Sequence, residues 1–287
     1  MLNKVRPNLL KVKSKVINFG PVIQITLIVP QIDNHTLEVS CYYIDGLLID
    51  SGPLRGLEAI KAIFQDKPVY YLVNTHHHED HAGNNFWFTE NKECGPALVH
   101  KKAVPMLRQE DGFFRPLPFY RKVSWGKPPK SEAAPIGKEI QTERFCFKVI
   151  ETPGHSQDHI CLIENDQGWL FTGDLFINEH VKTMLKYENI DDLLHSLYMV
   201  LQYDIDILFC STGRVIEKGA KEAIQRKIEY IEEMKQKVQL LINKGYSAKR
   251  IRDQLLGKED TRYIFTQGGY AKINFINAIL RSISQDA

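Results

Sequence analysis

The chain has 287 residues, enough for one large α/β domain, or for a main domain with a small appendage. With 43% apolar, 10% aromatic and 25% charged residues it can build a substantial core, which excludes global disorder. A formal net charge of +2 is too small to single out a nucleic-acid partner, and no run approaches the roughly 18 apolar residues needed to span a bilayer. Charge is uneven all the same. Lys4, Arg6, Lys11, Lys13 and Lys15 form a basic arm, and the stretch from Arg115 to Lys138 is mostly basic. Such lysines ordinarily solvate a face. Cys41, Cys94, Cys146, Cys161 and Cys210 are scattered, with no C-x-x-C pair, so they read as reduced thiols and favour a cytoplasmic home.

Strand signals open the chain at Val16 to Val29, Leu37 to Ile44 and Leu47 to Ile49, the last running into Asp50-Ser51-Gly52. Leu54 to Phe64 predicts a helix with Leu57, Ile60 and Phe64 on one face. Val69 to Val73 is a short apolar strand, Asn74 to His81 a loop, and Ala82 to Phe88 the start of a helix. The strand–loop–helix order repeats from Ala97 to His100 and the segment beginning at Lys101, which argues for an α/β fold. Asp111 to Gly137 breaks the pattern with Pro116, Pro118, Pro128, Pro129 and Pro135 among Phe113, Phe114, Phe119, Tyr120 and Trp125. Aromatic groups seek burial, so an ordered flap near a site is one reading; a surface insertion without substrate contact is the other. Strands return at Arg144 to Ile150, His159 to Ile163, Trp169 to Thr172 and Ile205 to Cys210, with a helix over Ile190 to Gln202. From Glu217 onward the chain is helical. Ile224, Ile228, Ile231, Val238 and Leu241 keep one face of a long helix apolar, Gly245 ends it, Ser247 caps a second, and Ile273, Ile276 and Leu280 mark a third. Residues 217–287 thus read as a helical extension on a main domain of residues 1–216. They cap the mouth of a site or mediate formation of a homodimer.

Thr75-His76-His77-His78-Glu79-Asp80-His81 carries the strongest chemical signal. Along an extended loop His76 and His78 point one way and His77 the other, and Asp80 and His81 follow where a helix begins. Four good ligands for a borderline-soft divalent ion fall within six positions.

This H-x-H-x-D-H run after a strand resembles the metallo-β-lactamase superfamily, and the likeness extends in order along residues 16 to 215. Asp50 in Leu48-Ile49-Asp50-Ser51-Gly52 matches the early aspartate that supports the metal loop. His155 in Thr152-Pro153-Gly154-His155-Ser156 matches the third metal-binding segment, and Asp174 in Phe171-Thr172-Gly173-Asp174 the aspartate that bridges two ions. The resemblance implies an αββα sandwich with a small helical C-terminal extension. It also implies a three-imidazole site of His76, His78 and His155, and a second site drawing on Asp80, His81 and Asp174. Zinc is the expected metal, as one or two ions, with iron or manganese as alternatives. The fifth family segment departs from the pattern. Members show a P-G-H-G-like turn, whereas Cys210-Ser211-Thr212-Gly213-Arg214 places Thr212 where the histidine would stand, so the second site is expected to be weaker. His180 could replace that ligand by sequence position, although a surface or packing role is its ordinary reading. His35, His100, His159 and His195 are read the same way. Asp174, where one branch of zinc β-lactamases has cysteine, together with His81 makes the pattern similar to glyoxalase-II-like and nuclease-like hydrolases.

The implied chemistry is attack by a metal-bound hydroxide, with Asp80 as the catalytic carboxylate that orients the nucleophile and handles its proton. Hydrolysis of a small ester, thioester or lactone is the first reading. Cleavage of phosphodiesters in nucleic acid is a second, and a non-hydrolytic metal sensor or an iron oxidoreductase on the same scaffold a third. No Ser-His-Asp arrangement, G-x-S-x-G elbow or nucleotide-binding glycine loop competes with them.

Overall fold

Gly20, at φ 57°, and Pro21 cut the first apolar stretch in two, so the single strand expected from Val16 to Val29 is a hairpin of β1 (Lys13–Phe19) and β2 (Val22–Pro30). The computed structural model describes residues 11–31, 35–112 and 117–285. Lys4, Arg6, Phe113, Phe114, Arg115 and Pro116 lie outside them. The first sheet continues through β3 (Thr36–Ile44), β4 (Leu47–Ile49), β5 (Tyr71–Val73), β6 (Ala97–Val99) and β7 (Ala133–Pro135), in chain order across the sheet. The second takes β8 (Glu139–Gln141), β9 (Cys146–Glu151), β10 (Ile160–Glu164) and β11 (Trp169–Phe171). A short β12 (Met184–Leu185) leaves it before β13 (Ile207–Phe209) and β14 (Val215–Ile216) complete it in the order 14-13-11-10-9-8.

On the outer face of the first sheet lie α1 (Leu57–Phe64), α2 (Glu79–Ala82), α3 (Asn85–Asn91), α4 (Val104–Leu107) and α5 (Phe119–Trp125). The helix expected over Ala82 to Phe88 is thus two short ones, α2 and α3. Phe64 and Phe88 from α1 and α3 pack edge to face at 5.2 Å in the core beneath. The second sheet is covered by α6 (Ile190–Val200), α7 (Ala220–Asn243), α8 (Ala248–Leu256), a helix without a clear sequence signal, α9 (Thr261–Phe265), and α10 (Lys272–Gln285). The α9 segment leads to β15 (Tyr270–Ala271), which pairs with β12. Alternation along β10 shows the layering. Ile160 and Leu162 enter the core between the sheets, while Cys161 and Ile163 enter the core under the helices. The five apolar residues expected to line the long helix are all buried on α7, and the Ser247 hydroxyl caps α8 at Arg250 N. Four layers, helices on sheet on sheet on helices, make the expected αββα sandwich.

Tyr42 ties the layers together, its hydroxyl donating to the Cys210 carbonyl at 2.5 Å while Phe171 and Phe209 stack beside it at 4.8 Å. Loops leaving the carboxyl ends of β4, β5, β9, β11 and β13 therefore meet at one seam between the sheets. That is where open α/β sheets place their ligands.

Candidate metal centre

Asp50 follows β4 with a left-handed backbone, φ 61°, a conformation that costs a non-glycine residue free energy unless its surroundings hold it. Three donors do so: Thr75 N at 2.8 Å, the Thr75 hydroxyl at 2.9 Å and His81 Nδ1 at 2.7 Å. The early aspartate thus braces the histidine loop from behind. His77 turns away from its neighbours, and both its backbone N–H and its Nδ1 reach Asp158 at 2.8 Å.

The inward nitrogens converge. His78 Nδ1 lies 2.8 Å from His76 Nε2 and 3.0 Å from His155 Nε2, and His155 Nε2 is 3.2 Å from Asp174 Oδ2. One donor atom from each of His76, His78, His155 and Asp174 lies within 4.8 Å of the others. His81 Nε2 is 3.3 Å from the other Asp174 oxygen and 3.8 Å from Asp80 Oδ2. All six residues singled out from the sequence therefore face one small volume. Gly173 lets Asp174 approach: a Cβ there would stand 2.7 Å from His159 Nε2 and 2.8 Å from Thr75 Cβ, at a left-handed φ of 48°.

Outward partners fix where the ring protons sit. A carboxylate only accepts, so Asp50 holds a proton on His81 Nδ1, and Glu188 one on His155 Nδ1. Thr75 gives its hydroxyl proton to Asp50 and accepts from His76 Nδ1 at 3.1 Å. His78 Nε2 meets the Tyr187 hydroxyl at 2.8 Å. In the neutral rings the nitrogens left facing inward carry the lone pairs. Three imidazole lone pairs and a carboxylate crowded together and buried repel one another unless a cation lies among them, so these residues fit a divalent metal of nitrogen and oxygen preference.

Burial drives His76 and His78 well below the ordinary histidine range, reinforced by surrounding imidazoles and, for His78, by Arg121. Burial acts the same way on His81 and His155, but carboxylates outweigh it and both are raised, His81 by Asp50 and Asp174, His155 by Asp174 and Glu188. Asp174 is held low because the His81 and His155 rings outweigh its own burial.

The fifth segment offers two hydroxyls in place of an imidazole. The hydroxyl that reaches Asp174 Oδ1, at 2.5 Å, belongs to Ser211, whereas Thr212 Oγ1 lies 3.2 Å from Cys210 Sγ, because Gly213 turns the backbone after β13. His180 is not in the cluster and packs its ring against Tyr230 at 4.9 Å. His159, read from the sequence as an ordinary packing histidine, has a further part. It accepts from Asp174 N at 3.1 Å and meets Thr152 Oγ1 at 2.8 Å, and burial lowers its pKa to about 3, so it stays a neutral prop. Tyr187, Glu188 and Arg121 gave no sequence signal.

Beside the centre opens a cavity of about 910 Å³. Helix α5 of the proline- and aromatic-rich segment supplies Tyr120, Arg121, Ser124 and Trp125 to its wall, as an ordered flap would. Arg262, Phe265 and Thr266 of the α9 region continue that wall, the Phe265 ring packing edge to face against Tyr120 at 6.2 Å. No helix among the described residues is long and apolar enough to cross a membrane.

Residues 36–212 match the model of the metallo-beta-lactamase superfamily. A beta-lactamase-like protein 2 homolog from Caenorhabditis elegans is 21% identical over 249 residues, 84% of this chain and 75% of that protein. An atrochrysone carboxyl ACP thioesterase from Aspergillus fumigatus is 26% identical over 208 residues, 71% of this chain but 58% of that protein. An acyl-coenzyme A thioesterase, MBLAC2, from Gallus gallus is 28% identical over 138 residues, 45% of this chain and 50% of that protein. Among solved structures, a metallo-beta-lactamase family protein from Thermus thermophilus aligns with a TM-score of 0.62 at 15% identity, over 96% of this chain and 94% of that one. A beta-lactamase domain protein from Burkholderia ambifaria gives 0.64 at 16%, over 98% and 88%. At such identities the structures speak for the fold alone. The ordered motifs, the four-layer architecture and the match over residues 36–212 make this chain a member of the metallo-beta-lactamase superfamily.

Proposed function

We propose that the chain is a metal-dependent hydrolase of acyl thioesters, with zinc as the resident ion in the His76, His78, His155 and Asp174 set. The observation that carries this reading is the inward convergence of three imidazoles and a carboxylate beside a large, mostly apolar cavity, with His78, His155 and Asp174 on its wall. A divalent ion in such a set supplies Lewis acidity, polarising an acyl oxygen and making water acidic near neutral pH.

The chain's own residues do the rest. Asp80 Oδ1 is buried without a hydrogen-bond partner among the described residues, with Arg121 3.9 Å away, and Asp80 lines the cavity, so it is placed to take the proton of an attacking water. Ser211 fixes one oxygen of Asp174 and thereby aims the other. Leu37, Val39, Trp125, Ile177, Met184 and Phe265 offer an apolar wall to an acyl group and exclude water from it. With a thiol pKa of about 8.5 the sulfur departs as a thiolate, so one general base suffices and no separate acid is required. The names of the Aspergillus and Gallus relatives agree with this substrate class. The apolar wall suits a small-molecule substrate better than a nucleic acid.

The test is hydrolysis of acyl-coenzyme A, oxoester, lactone and activated phosphodiester substrates by zinc-loaded protein and its His76→Ala and Asp80→Asn variants. We expect acyl thioesters to be the fastest substrates, with losses of at least about 100-fold in both variants. Faster phosphodiester cleavage, or thioester turnover indifferent to both substitutions and to chelator, would overturn the assignment.

A further inference from the structure

Two consecutive residues, Tyr187 and Glu188, support two of the three imidazoles from outside. They lie in the connection between β12 and α6. The Tyr187 hydroxyl is 2.8 Å from His78 Nε2, and a Glu188 oxygen holds His155 Nδ1. The two histidines stand 77 positions apart and present opposite ring nitrogens to the centre, His78 its Nδ1 and His155 its Nε2. Which nitrogen can donate its lone pair depends on where the ring proton sits, and the outward partner decides that. One short turn therefore sets both tautomers and both ring orientations.

The turn is held from parts of the chain that carry none of the candidate donors. β12 pairs with β15, Lys186 N donates to the Gly269 carbonyl at 3.2 Å, and the Arg281 guanidinium donates to the Glu188 carbonyl at 3.2 Å. The second Glu188 oxygen accepts from Leu185 N at 2.8 Å. From the other side, Arg121 of α5 donates to the Tyr187 hydroxyl at 3.1 Å and pairs with Glu79 at 2.5 Å. Arg121 fills one lone pair of the phenol oxygen, and the other is free to accept His78 Nε2–H, the tautomer that leaves the inward Nδ1 with its lone pair.

We propose that Tyr187 and Glu188 are positioning residues of the metal centre, fixing His78 as an Nδ1 donor and His155 as an Nε2 donor. This rests on the metal-centre part of the functional reading and is independent of the substrate. The C-terminal helices, beyond the residues that match the family, thereby belong to the frame of the site.

The test uses cobalt(II), whose visible absorption reports ligand geometry, titrated into metal-free full-length protein against a competing chelator. Tyr187→Phe and Glu188→Ala should each weaken cobalt affinity by about 10- to 100-fold and shift the visible bands. Glu188→Gln keeps an acceptor oxygen for His155 Nδ1–H and should recover part of the loss. Unchanged affinity and bands in both Tyr187→Phe and Glu188→Ala would overturn the proposal. Should Glu188→Ala fail to fold, Tyr187→Phe decides alone, because it removes one hydroxyl. Thioester turnover measured in parallel separates the two ideas. Wild-type protein that binds cobalt tightly yet hydrolyses no thioester sinks the substrate class and leaves the positioning roles standing, whereas wild-type protein that binds no cobalt overturns both.

Discussion

The rings of His78, His81 and His155 stand 4.1 to 4.9 Å from the His76 ring, and the carboxylates around them decide how each behaves. His76 and His78 face mainly other rings and stay neutral; His81 and His155 face Asp50, Glu188 and Asp174. The residue that is missing matters as much. Ser211 and Thr212 put two hydroxyls where the family resemblance leads us to expect an imidazole, and a neutral hydroxyl is a poor ligand for a divalent ion. Metal analysis of Thr212→His should therefore show bound metal rising from one toward two ions per chain. A rise in Ser211→His with none in Thr212→His would move the register by one residue. No rise in either would mean that Asp80, His81 and Asp174 do not form a second site.

At the scale of elements, α7 carries both an apolar face and one buried cation. Lys227 is 3% exposed, donates to the Leu175 carbonyl at 2.8 Å, and burial lowers its pKa to about 8. Because the folded value lies below the unfolded one of 10.5, the unfolded chain binds more protons between pH 8 and 10.5, and this group makes stability rise with pH through that window. The gain is on the order of 3 kcal/mol across it. Denaturant unfolding of Lys227→Met should show a smaller rise over that window than the parent chain; equal slopes would show that the ammonium is not buried at a cost. The apolar face of α7 was legible because its spacing follows the helical period. Likewise the His76 to His81 cluster was legible because four ligand types fall within six positions. Tyr187, Glu188 and Arg121 were not, since each contacts residues 33 to 109 positions away and sits in no periodic or motif-bearing run. Turns were missed where a glycine reverses the chain inside an apolar stretch, as at Gly20.

Across the whole molecule, the donors come from strand ends of both sheets, so the site exists only when the inter-sheet core of Tyr42, Phe171 and Phe209 has formed. The order of the motifs along the chain already implied this architecture. The cavity walls did not follow from that order, because α5 and α9 reach the mouth through contacts that no local pattern encodes. X-ray absorption at the zinc edge of the loaded protein tests the convergence of these segments most directly. Three imidazole nitrogens at about 2.0 Å, oxygen in the remaining positions and a drop to two imidazoles in His155→Ala are the expected result. A sulfur shell at about 2.3 Å, or an imidazole count that His155→Ala leaves unchanged, would contradict it.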